Sequence, residues 1–163
     1  MSIREVKAFF AARGMEDRVL EFDTSSATVE LAAQTVGVIP ARIAKTLSFM
    51  TPDGPLLVVT AGDAKIDNHK FKETFGCKAK MLTPEEAVEL IGHAVGGVCP
   101  FAVKAGVKTC LDHSLRRFST VFPACGSSNS AIELTCEELE KYSSNFVSWV
   151  DVAKGWRPEE KEA

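Results

Sequence analysis

Apolar residues recur at helical spacing in the first part of the chain. Between Ile3 and Phe10 they return every three or four positions, and Gly14 follows where the pattern stops, so a first amphipathic helix is predicted. Thr28–Val36 predicts a second helix, because Gly37 follows it and glycine often ends a helix. A short strand is predicted between the two helices, at residues 19–23.

Two apolar runs flank the sequence Pro-Asp-Gly-Pro at positions 52–55. Residues 44–50 and 56–61 are typical of a β-hairpin with a four-residue connection. The second run is apolar at consecutive positions, which predicts a strand buried on both faces. Lys45 lies at the start of the first strand, where a lysine is ordinary because strand ends usually reach water.

The remaining elements are predicted from capping residues and short apolar runs. Asp67 is suited to begin a helix that ends at Phe75, and capping boxes at Thr83–Glu86 and Thr135–Glu138 predict two more helices. Further strands are predicted at residues 107–111, 119–122, 131–134 and 146–150. Helices and strands alternate irregularly, so we expect the α/β class in its mixed α+β form: a mixed, partly closed β-sheet with helices packed around it.

Composition indicates one domain at residues 1–156 and a charged tail at residues 157–163, which we expect to be loose. Hydrophobic residues make up 45% and charged residues 25%, as in ordinary globular proteins. No apolar run is long enough for a membrane span, and the first ten residues do not resemble a signal peptide. The five cysteines are irregularly spaced, which is typical of reduced thiols, so we expect a cytoplasmic protein.

The net charge of −3 argues against a protein that binds long stretches of nucleic-acid backbone. Residues 65–117 nevertheless carry nine basic and six acidic side chains, a local charge of +3. This excess fits a solvated lysine-bearing face, and it also fits a modest patch that meets a few phosphates at the end of a nucleic acid. Composition does not choose between the two.

Two glycine-containing runs are candidates for a ligand site. Gly96-Gly97-Val98-Cys99-Pro100 can turn main-chain N–H groups toward an oxygen, and it can equally be a tight turn between a helix and a strand. Gly126-Ser127-Ser128-Asn129 offers small hydroxyl and amide side chains that could bind an amino group, a ribose hydroxyl or a carbonyl. The same residue types are ordinary turn formers.

Standard catalytic sets are absent from the sequence. It has neither the GxSxG motif nor a Walker phosphate-binding loop. Cys110 and His113 have ligand-like spacing, but no second pair completes a zinc site, so we expect neither a metal nor another cofactor. Cys99 could be a nucleophile activated by His93 or His113, although a free cysteine is more often a small buried apolar residue.

Five segments, taken in order, resemble the YbaK-like family, which is related to the editing domain inserted in bacterial prolyl-tRNA synthetases. The resemblance covers about residues 20–150, and each motif is weak when taken singly. The segments are Ile43–Leu47 with its Lys-Thr-Leu, residues 64–70, the Gly-Gly-x-x-Pro loop at Gly96–Pro100, the Asp-x-Ser-Leu run at residues 109–115, and Gly126–Leu134.

The resemblance implies the YbaK/prolyl-tRNA-synthetase-associated fold and an aminoacyl-tRNA deacylase. Such an enzyme would be a free-standing hydrolase that cleaves the ester of a mischarged tRNA carrying a small amino acid. Lys45 would be the catalytic residue, because its ammonium could bind the substrate carbonyl or orient the attacking water. Substrate-binding residues would be Phe22, Thr46, Gly96, Gly97, Val98, Cys99, Pro100, Gly126, Ser127, Ser128 and Asn129.

One departure from the family concerns the last loop. Some relatives use a histidine there to meet the amino group of the substrate, and Gly126–Ser130 contains none, so substrate choice is not transferred. The implied partner is the aminoacylated acceptor end of tRNA, and a synthetase partner stays open. We expect a basic patch that includes Lys104, Lys108, Arg116 or Arg117 to face the mouth of the site. The alternative function is a non-catalytic module of the same fold that binds tRNA or a synthetase.

Overall fold

A computed structural model describes residues 2–25 and 28–158 of the chain. Residues 159–163 of the predicted tail lie outside the described residues. The helices are α1 Ser2–Ala11, α2 Val29–Val36, α3 Asn68–Phe75, α4 Pro84–Glu86 and α5 Cys136–Tyr142. The strands are β1 Val19–Glu21, β2 Ile43–Thr51, β3 Gly54–Ala61, β4 Lys65–Ile66, β5 Lys108–Asp112, β6 Thr120–Pro123, β7 Ser130–Ile132, β8 Leu134–Thr135, β9 Phe146–Val150 and β10 Ala153–Lys154.

The main sheet has six strands in the order β8-β6-β2-β3-β5-β9. The β2–β3 and β6–β8 pairs are antiparallel, and the β2–β6, β3–β5 and β5–β9 pairs are parallel. Two-stranded pairs, β1 with β7 and β4 with β10, accompany it. The prediction of a mixed, partly closed sheet with helices packed around it is confirmed.

The helices that were predicted from capping residues begin where the sequence indicated. The Thr28 side chain accepts a hydrogen bond from Leu31 N–H at the start of α2, and Gly37 ends that helix in the left-handed region. Both predicted capping boxes form, at Thr83 and at Thr135. After α4 the chain continues as a π-helical turn, Ala87–Ile91, so the predicted helix does end at Gly92 but with a wider last turn.

Two strand predictions need correction. The hairpin connection has two residues, Pro52 and Asp53, because the pairing of β2 with β3 extends to Thr51 and Gly54. The strand predicted at 131–134 is divided at Glu133, and its two halves pair with different strands, β1 and β6. The Glu133 side chain accepts a hydrogen bond of 2.6 Å from the Thr120 hydroxyl and forms an ion pair with Arg42. These contacts hold the residue between β7 and β8 against β6 and the turn before β2.

Helices cover both faces of the sheet. Alternate side chains of a strand point to opposite faces. On one face, Phe10 of α1 and Leu139 of α5 pack with Val59 and Leu111 in the largest buried cluster. On the other face, Phe71 of α3 packs with the β2 and β3 side chains in a second cluster.

The beginning of β2 is covered by α2. Ala33 of that helix packs with Ile43 and Phe122, so α2 covers the sheet where β2 and β6 meet. The close approach of α2 to the sheet depends on Gly62, which follows β3. A Cβ atom at this position would lie 2.1 Å from Pro40 O and 2.6 Å from Val29 Cγ1. A side chain at position 62 would therefore push the helix away from the sheet.

Candidate active site

A cavity of about 250 Å³ lies where β2 separates from β6. The two strands pair only through Ile43 and Ala44, and beyond Pro123 the second strand leaves the sheet. Gly126 turns the departing chain with a φ of 93°, and Cys125 N–H donates to the Ser130 hydroxyl at 3.2 Å, which fixes the loop. The cavity is therefore a gap in the sheet, floored by β2 and walled by the loop that follows β6.

The wall is mostly apolar, with few polar groups. Apolar side chains come from α2, from both sides of β2 and from β6, and hydroxyl groups come from Thr28, from β2 and from the loop after Gly126. The lining residues are Phe22, Thr28, Val29, Ala32, Val36, Ile43, Ala44, Lys45, Thr46, Leu47, Ser48, Met81, Leu82, Val95, Gly96, Val98, Phe122, Ala124, Ser127, Ser128, Ser130 and Ala131.

Lys45 is the single charged residue among these lining residues. It lies opposite Thr60 of β3 and is partly buried. Burial lowers the pKa of Lys45 from its ordinary value near 10.5, and the charge of Lys65 lowers it further, whereas Asp63 and Glu30 oppose the shift. In the described part of the chain its ammonium has no hydrogen-bond or ion-pair partner, so its donors are available to a ligand.

The two glycine-containing loops meet main chain to main chain beside the cavity. A Cβ atom at Gly97 would lie 2.6 Å from Gly126 C and from Ser127 N. The adjacent Gly96, with a φ of 94°, lines the cavity and approaches Ser128, whose Cβ atom would lie 3.3 Å from a Cβ on Gly96. Glycine at position 97 is what allows this contact, which sets the width of the cavity on that side.

The loop at residues 126–130 is held from both sides. Ser127 Oγ donates to Ser130 Oγ at 2.8 Å, and the Ser128 and Ser25 hydroxyls are 2.6 Å apart. Asn129 and Phe22 are joined by two hydrogen bonds, from Phe22 N–H to Asn129 O at 2.8 Å and from Asn129 Nδ2 to Phe22 O at 2.9 Å. These bonds place the hydroxyls of Ser127 and Ser128 and the Phe22 ring on the cavity wall.

Seven of the twelve site residues named from the sequence line the cavity, namely Lys45, Phe22, Thr46, Gly96, Val98, Ser127 and Ser128. The other five, Gly97, Cys99, Pro100, Gly126 and Asn129, lie outside the lining. Their assignment as substrate-binding residues stays a prediction, and in this structure they pack and hydrogen-bond behind the wall. Gly97 and Gly126 join the loops, and Pro100 O accepts a 2.8 Å hydrogen bond from Ser144 N–H.

The cysteine and histidine candidates are buried or lie elsewhere. Cys99 is completely buried, its Sγ is 3.6 Å from His93 Nε2, and burial raises the pKa of the thiol to about 12. A thiol in this state is not a nucleophile. His113 stacks on Trp149 of the edge strand β9, away from the cavity. Within residues 2–25 and 28–158, no group of three or more His, Cys, Asp or Glu residues could hold a metal ion.

The Asp-x-Ser-Leu motif is a structural junction. Asp112 is fully buried, and its carboxylate accepts hydrogen bonds from Ser114 N–H at 2.9 Å and from Val152 N–H at 2.8 Å. The Ser114 hydroxyl accepts a 3.0 Å hydrogen bond from Ala61 N–H. The motif therefore joins the ends of β3 and β5 to the segment before β10.

The basic residues expected at the mouth of the site lie on several different segments of the chain. None of Lys104, Lys108, Arg116 and Arg117 lines the cavity. Arg116 lies over Trp149 on the edge strand β9, and Lys104 donates a 2.7 Å hydrogen bond to a main-chain oxygen of the turn after α4. Arg117 pairs with Asp63, whose charge acts on Lys45, as the charge of Lys65 does, so a basic surface near the mouth stays a prediction for Arg117.

Several wall residues were missed from the sequence. Val29, Ala32 and Val36 of α2 follow helical spacing, and this apolar stripe is visible in the sequence. What the sequence does not show is that the stripe faces a cavity. Met81 and Val95 are also on the wall and are 56% and 67% exposed, so they form an apolar rim.

None of the helices in the described ranges is both long and apolar enough to cross a membrane.

Comparison with known proteins identifies the family. Residues 23–142 match the aminoacyl-tRNA editing domain. The chain is 55% identical over 157 residues to the uncharacterized protein YwhH of Bacillus subtilis (strain 168), an alignment that covers 96% of this chain and 99% of that protein. It is 34% identical over 110 residues to the proline–tRNA ligase of Halalkalibacterium halodurans, covering 66% of this chain but 19% of the ligase.

A solved structure supports the same relationship. A proposed trans-editing enzyme for prolyl-tRNA synthetase superposes with a TM-score of 0.85 at 30% identity, covering 94% of this chain and 98% of that one. The family model matches well over half of the chain, and the fold agrees over nearly all of it. The chain therefore belongs to the aminoacyl-tRNA editing domain family, as the five sequence motifs indicated.

Proposed function

We propose that the protein is a free-standing trans-editing deacylase, which hydrolyses the ester of a mischarged tRNA that carries a small amino acid. The observation that carries the proposal is Lys45, an ammonium without a described partner in a mostly apolar cavity. An ester carbonyl develops negative charge when water attacks it. An ammonium in a site with little water stabilises that charge far better than it would in bulk solvent.

The described wall suits a hydrolysis that needs no protein nucleophile. Apart from Lys45 it contains no titratable side chain, so neither a triad nor a carboxylate base is available among the described lining residues. An aminoacyl ester is already activated, and positioning of water and carbonyl is the main requirement. Gly96 would hold the terminal ribose, whose free hydroxyl would assist the attack, and Ser127 and Ser128 would border the aminoacyl group.

Cavity size favours a small aminoacyl group. About 250 Å³ lies below the range of roughly 300–1,000 Å³ for pockets that hold drug-sized ligands. The apolar wall formed by α2 and Phe122 accepts a short side chain such as that of alanine, and the hydroxyls of the Ser127–Ser128 loop would also tolerate serine or cysteine. The terminal adenosine would then remain at the mouth, beside the exposed Met81 and Val95.

The similarity to proline–tRNA ligases and to a proposed prolyl trans-editing enzyme makes mischarged tRNA for proline the first substrate to test. The experiment is a deacylation screen over tRNAs carrying alanine, serine, cysteine and larger residues. Lys45→Ala should lower the rate by about 100-fold or more, the usual cost of losing one charge-stabilising donor. Lys108→Ala, an exposed lysine outside the cavity, should keep the rate of the unmodified protein.

The pH profile gives a second test of Lys45. Its charged form is the active one in this mechanism, and its pKa is lowered. The enzymatic rate, corrected for uncatalysed hydrolysis, should therefore fall as pH rises through a value below 10.5. Equal deacylation by the protein and by Lys45→Ala would refute the role of the lysine. Tight binding of charged tRNA with no turnover by either protein would support the non-catalytic module instead.

A further inference from the structure

The edge of β2 that faces away from β3 is hydrogen-bonded at both ends and open in the middle. At one end Ala44 pairs with β6. At the other end Leu82 N–H donates to Ser48 O at 3.0 Å, and Met50 N–H donates to Lys80 O at 2.8 Å. Across residues 2–25 and 28–158, no backbone hydrogen bond closes this edge between Ala44 and Ser48.

The hairpin register determines which residue presents its main chain to the open edge. Two residues connect Thr51 to Gly54, so Thr51 and Gly54 form a hydrogen-bonded pair. In an antiparallel ladder such pairs recur at every second residue, counted back from Thr51 along β2. Lys45 and Leu47 therefore bond to β3. Thr46, between them, directs its N–H and its C=O away from β3 and into the gap that forms the cavity.

One further observation agrees with this orientation, and a second adds an unpaired side chain at the same residue. Met50, which has the same orientation as Thr46, lies opposite Pro55, a residue without an N–H to donate. The hydroxyl of Thr46 is buried and has no hydrogen-bond partner within the described ranges. Thr46 thus combines an unpaired main-chain edge with an unpaired side chain on the cavity wall, and because polar groups inside proteins nearly always have a hydrogen-bond partner, the cavity has to supply one here, from water or from a ligand.

An aminoacyl ester is chemically complementary to such an edge. It carries an ammonium and a carbonyl on either side of one α-carbon, as a residue in a strand carries an N–H and a C=O. In an antiparallel hydrogen-bonded pair, one residue donates its N–H and accepts at its C=O from the residue opposite. Ligands that extend a sheet use the same exchange.

We propose that the aminoacyl group binds as a one-residue strand on the open edge of β2. Its ammonium donates to Thr46 O, and its ester carbonyl accepts from Thr46 N–H; this inference rests on the proposed deacylase function. Thr46 N–H then stabilises the developing oxyanion together with Lys45. Thr46 O supplies the partner for the amino group in a protein whose Gly126–Ser130 loop has no histidine.

Thr46→Pro tests the N–H directly. Proline removes this one donor, and the hydrogen-bond ladder with β3 does not use it, so the sheet can accept the change. The kcat for deacylation should fall by about 10²- to 10³-fold, as when one oxyanion donor is lost. Thr46→Val is the matched comparison, because both changes remove the unpaired hydroxyl and only Thr46→Pro removes the N–H, so Thr46→Pro should be about 10²- to 10³-fold slower than Thr46→Val.

A main-chain replacement keeps the test valid if the proline variant does not fold. Incorporating an α-hydroxy acid at position 46 converts the amide to an ester and deletes only the N–H. The same replacement at Met50 removes an N–H that is already bonded to Lys80 O. The change at position 46 should lower kcat with little loss of Tm, and the change at position 50 should lower Tm and preserve kcat. An unchanged kcat for the ester at position 46 would overturn the inference.

The substrate side tests Thr46 O. Alanyl-tRNA, N-acetylalanyl-tRNA and propionyl-tRNA are compared by the enhancement over the uncatalysed hydrolysis of each ester. Loss of the ammonium should reduce the enhancement by roughly 10- to 100-fold, the worth of one charged hydrogen bond. Equal enhancement for all three would contradict the pairing. Inactivity of the unmodified protein on every mischarged tRNA would contradict the proposed function, whereas full activity of Thr46→Pro would contradict only this inference.

Discussion

The contact between Gly97 and the Gly126–Ser127 main chain gives a prediction that follows directly from the geometry. A Cβ at position 97 would lie 2.6 Å from Gly126 C and Ser127 N, and 2.7 Å from Gly126 O. Ordinary van der Waals contact begins at 3.4 Å, so Gly97→Ala must separate the two loops by about 0.8 Å. All three neighbouring atoms belong to the main chain, so no side chain can rotate away to relieve the overlap.

The expected cost can be worked out from this displacement. Overpacking of a well-packed interior costs roughly 1–3 kcal/mol. At about 2 kcal/mol in a chain of 163 residues, the Tm should fall by about 4–8 °C. The same movement shifts the Ser127 and Ser128 hydroxyls on the wall of the cavity. A misplacement near 1 Å costs about 100-fold in rate, so the loss of activity should exceed what the loss of stability explains.

The assay compares Gly97→Ala with Gly106→Ala, by thermal unfolding and by deacylation at a temperature where both variants are folded. Gly106 has a φ of 87°, and a Cβ added there would meet no atom within 4 Å, so alanine at this position strains only its own backbone, by about 1–2 kcal/mol. Both variants should be less stable, and only Gly97→Ala should lose activity. A Gly97→Ala protein with the original Tm and rate would refute the tight contact, and equal losses of activity would assign the effect to stability alone.

Two other changes test the buried thiol and an ion pair. Cys99→Ala should keep the deacylation rate, because the Cys99 thiol is buried outside the cavity and burial raises its pKa to about 12. An inactive Cys99→Ala variant, together with alkylation of Cys99 in the folded protein, would contradict this. The hydrogen bond from Arg18 lowers the pKa of Glu138 from 4.5 to about 2, so the carboxylate stabilises the folded state above pH 4.5 and loses that contribution as pH falls through 2. In urea denaturation at pH 7, Arg18→Ala should therefore have a lower free energy of unfolding than the original protein, and this difference should shrink toward pH 2. A difference in the free energy of unfolding that does not change with pH would count against the pairing.

Local signals in the sequence predicted most helices and the central hairpin, because their causes are local. The threonines at positions 28, 83 and 135 accept hydrogen bonds from main-chain N–H groups within the next three residues. Such capping bonds are determined by a few consecutive residues, and so are the glycines that end α2 and α3. The hairpin follows from two apolar runs around a turn, although its connection proved shorter than predicted.

Features that depend on distant segments were not predictable in the same way. The short strands β4 and β10 form only because they pair with each other, across more than eighty residues of sequence. Lys45 and Ser127 were both named from motifs, but the gap that brings them to one cavity arises from where β6 leaves β2. No local pattern indicated that Asp112 would be buried beneath Val152 N–H, or that Arg116 would lie on Trp149.

The parallel pairing in the main sheet has a consequence for the order of folding. The β2–β3 hairpin brings Lys45 and Thr46 into place through contacts between near neighbours, and such contacts form quickly. The pairing of β2 with β6 closes a loop of about eighty residues, from Ile43 to Phe122, and long loop closures are slow and entropically costly. The hairpin that carries Lys45 is therefore expected to form before the pairing of β2 with β6 closes the cavity around it.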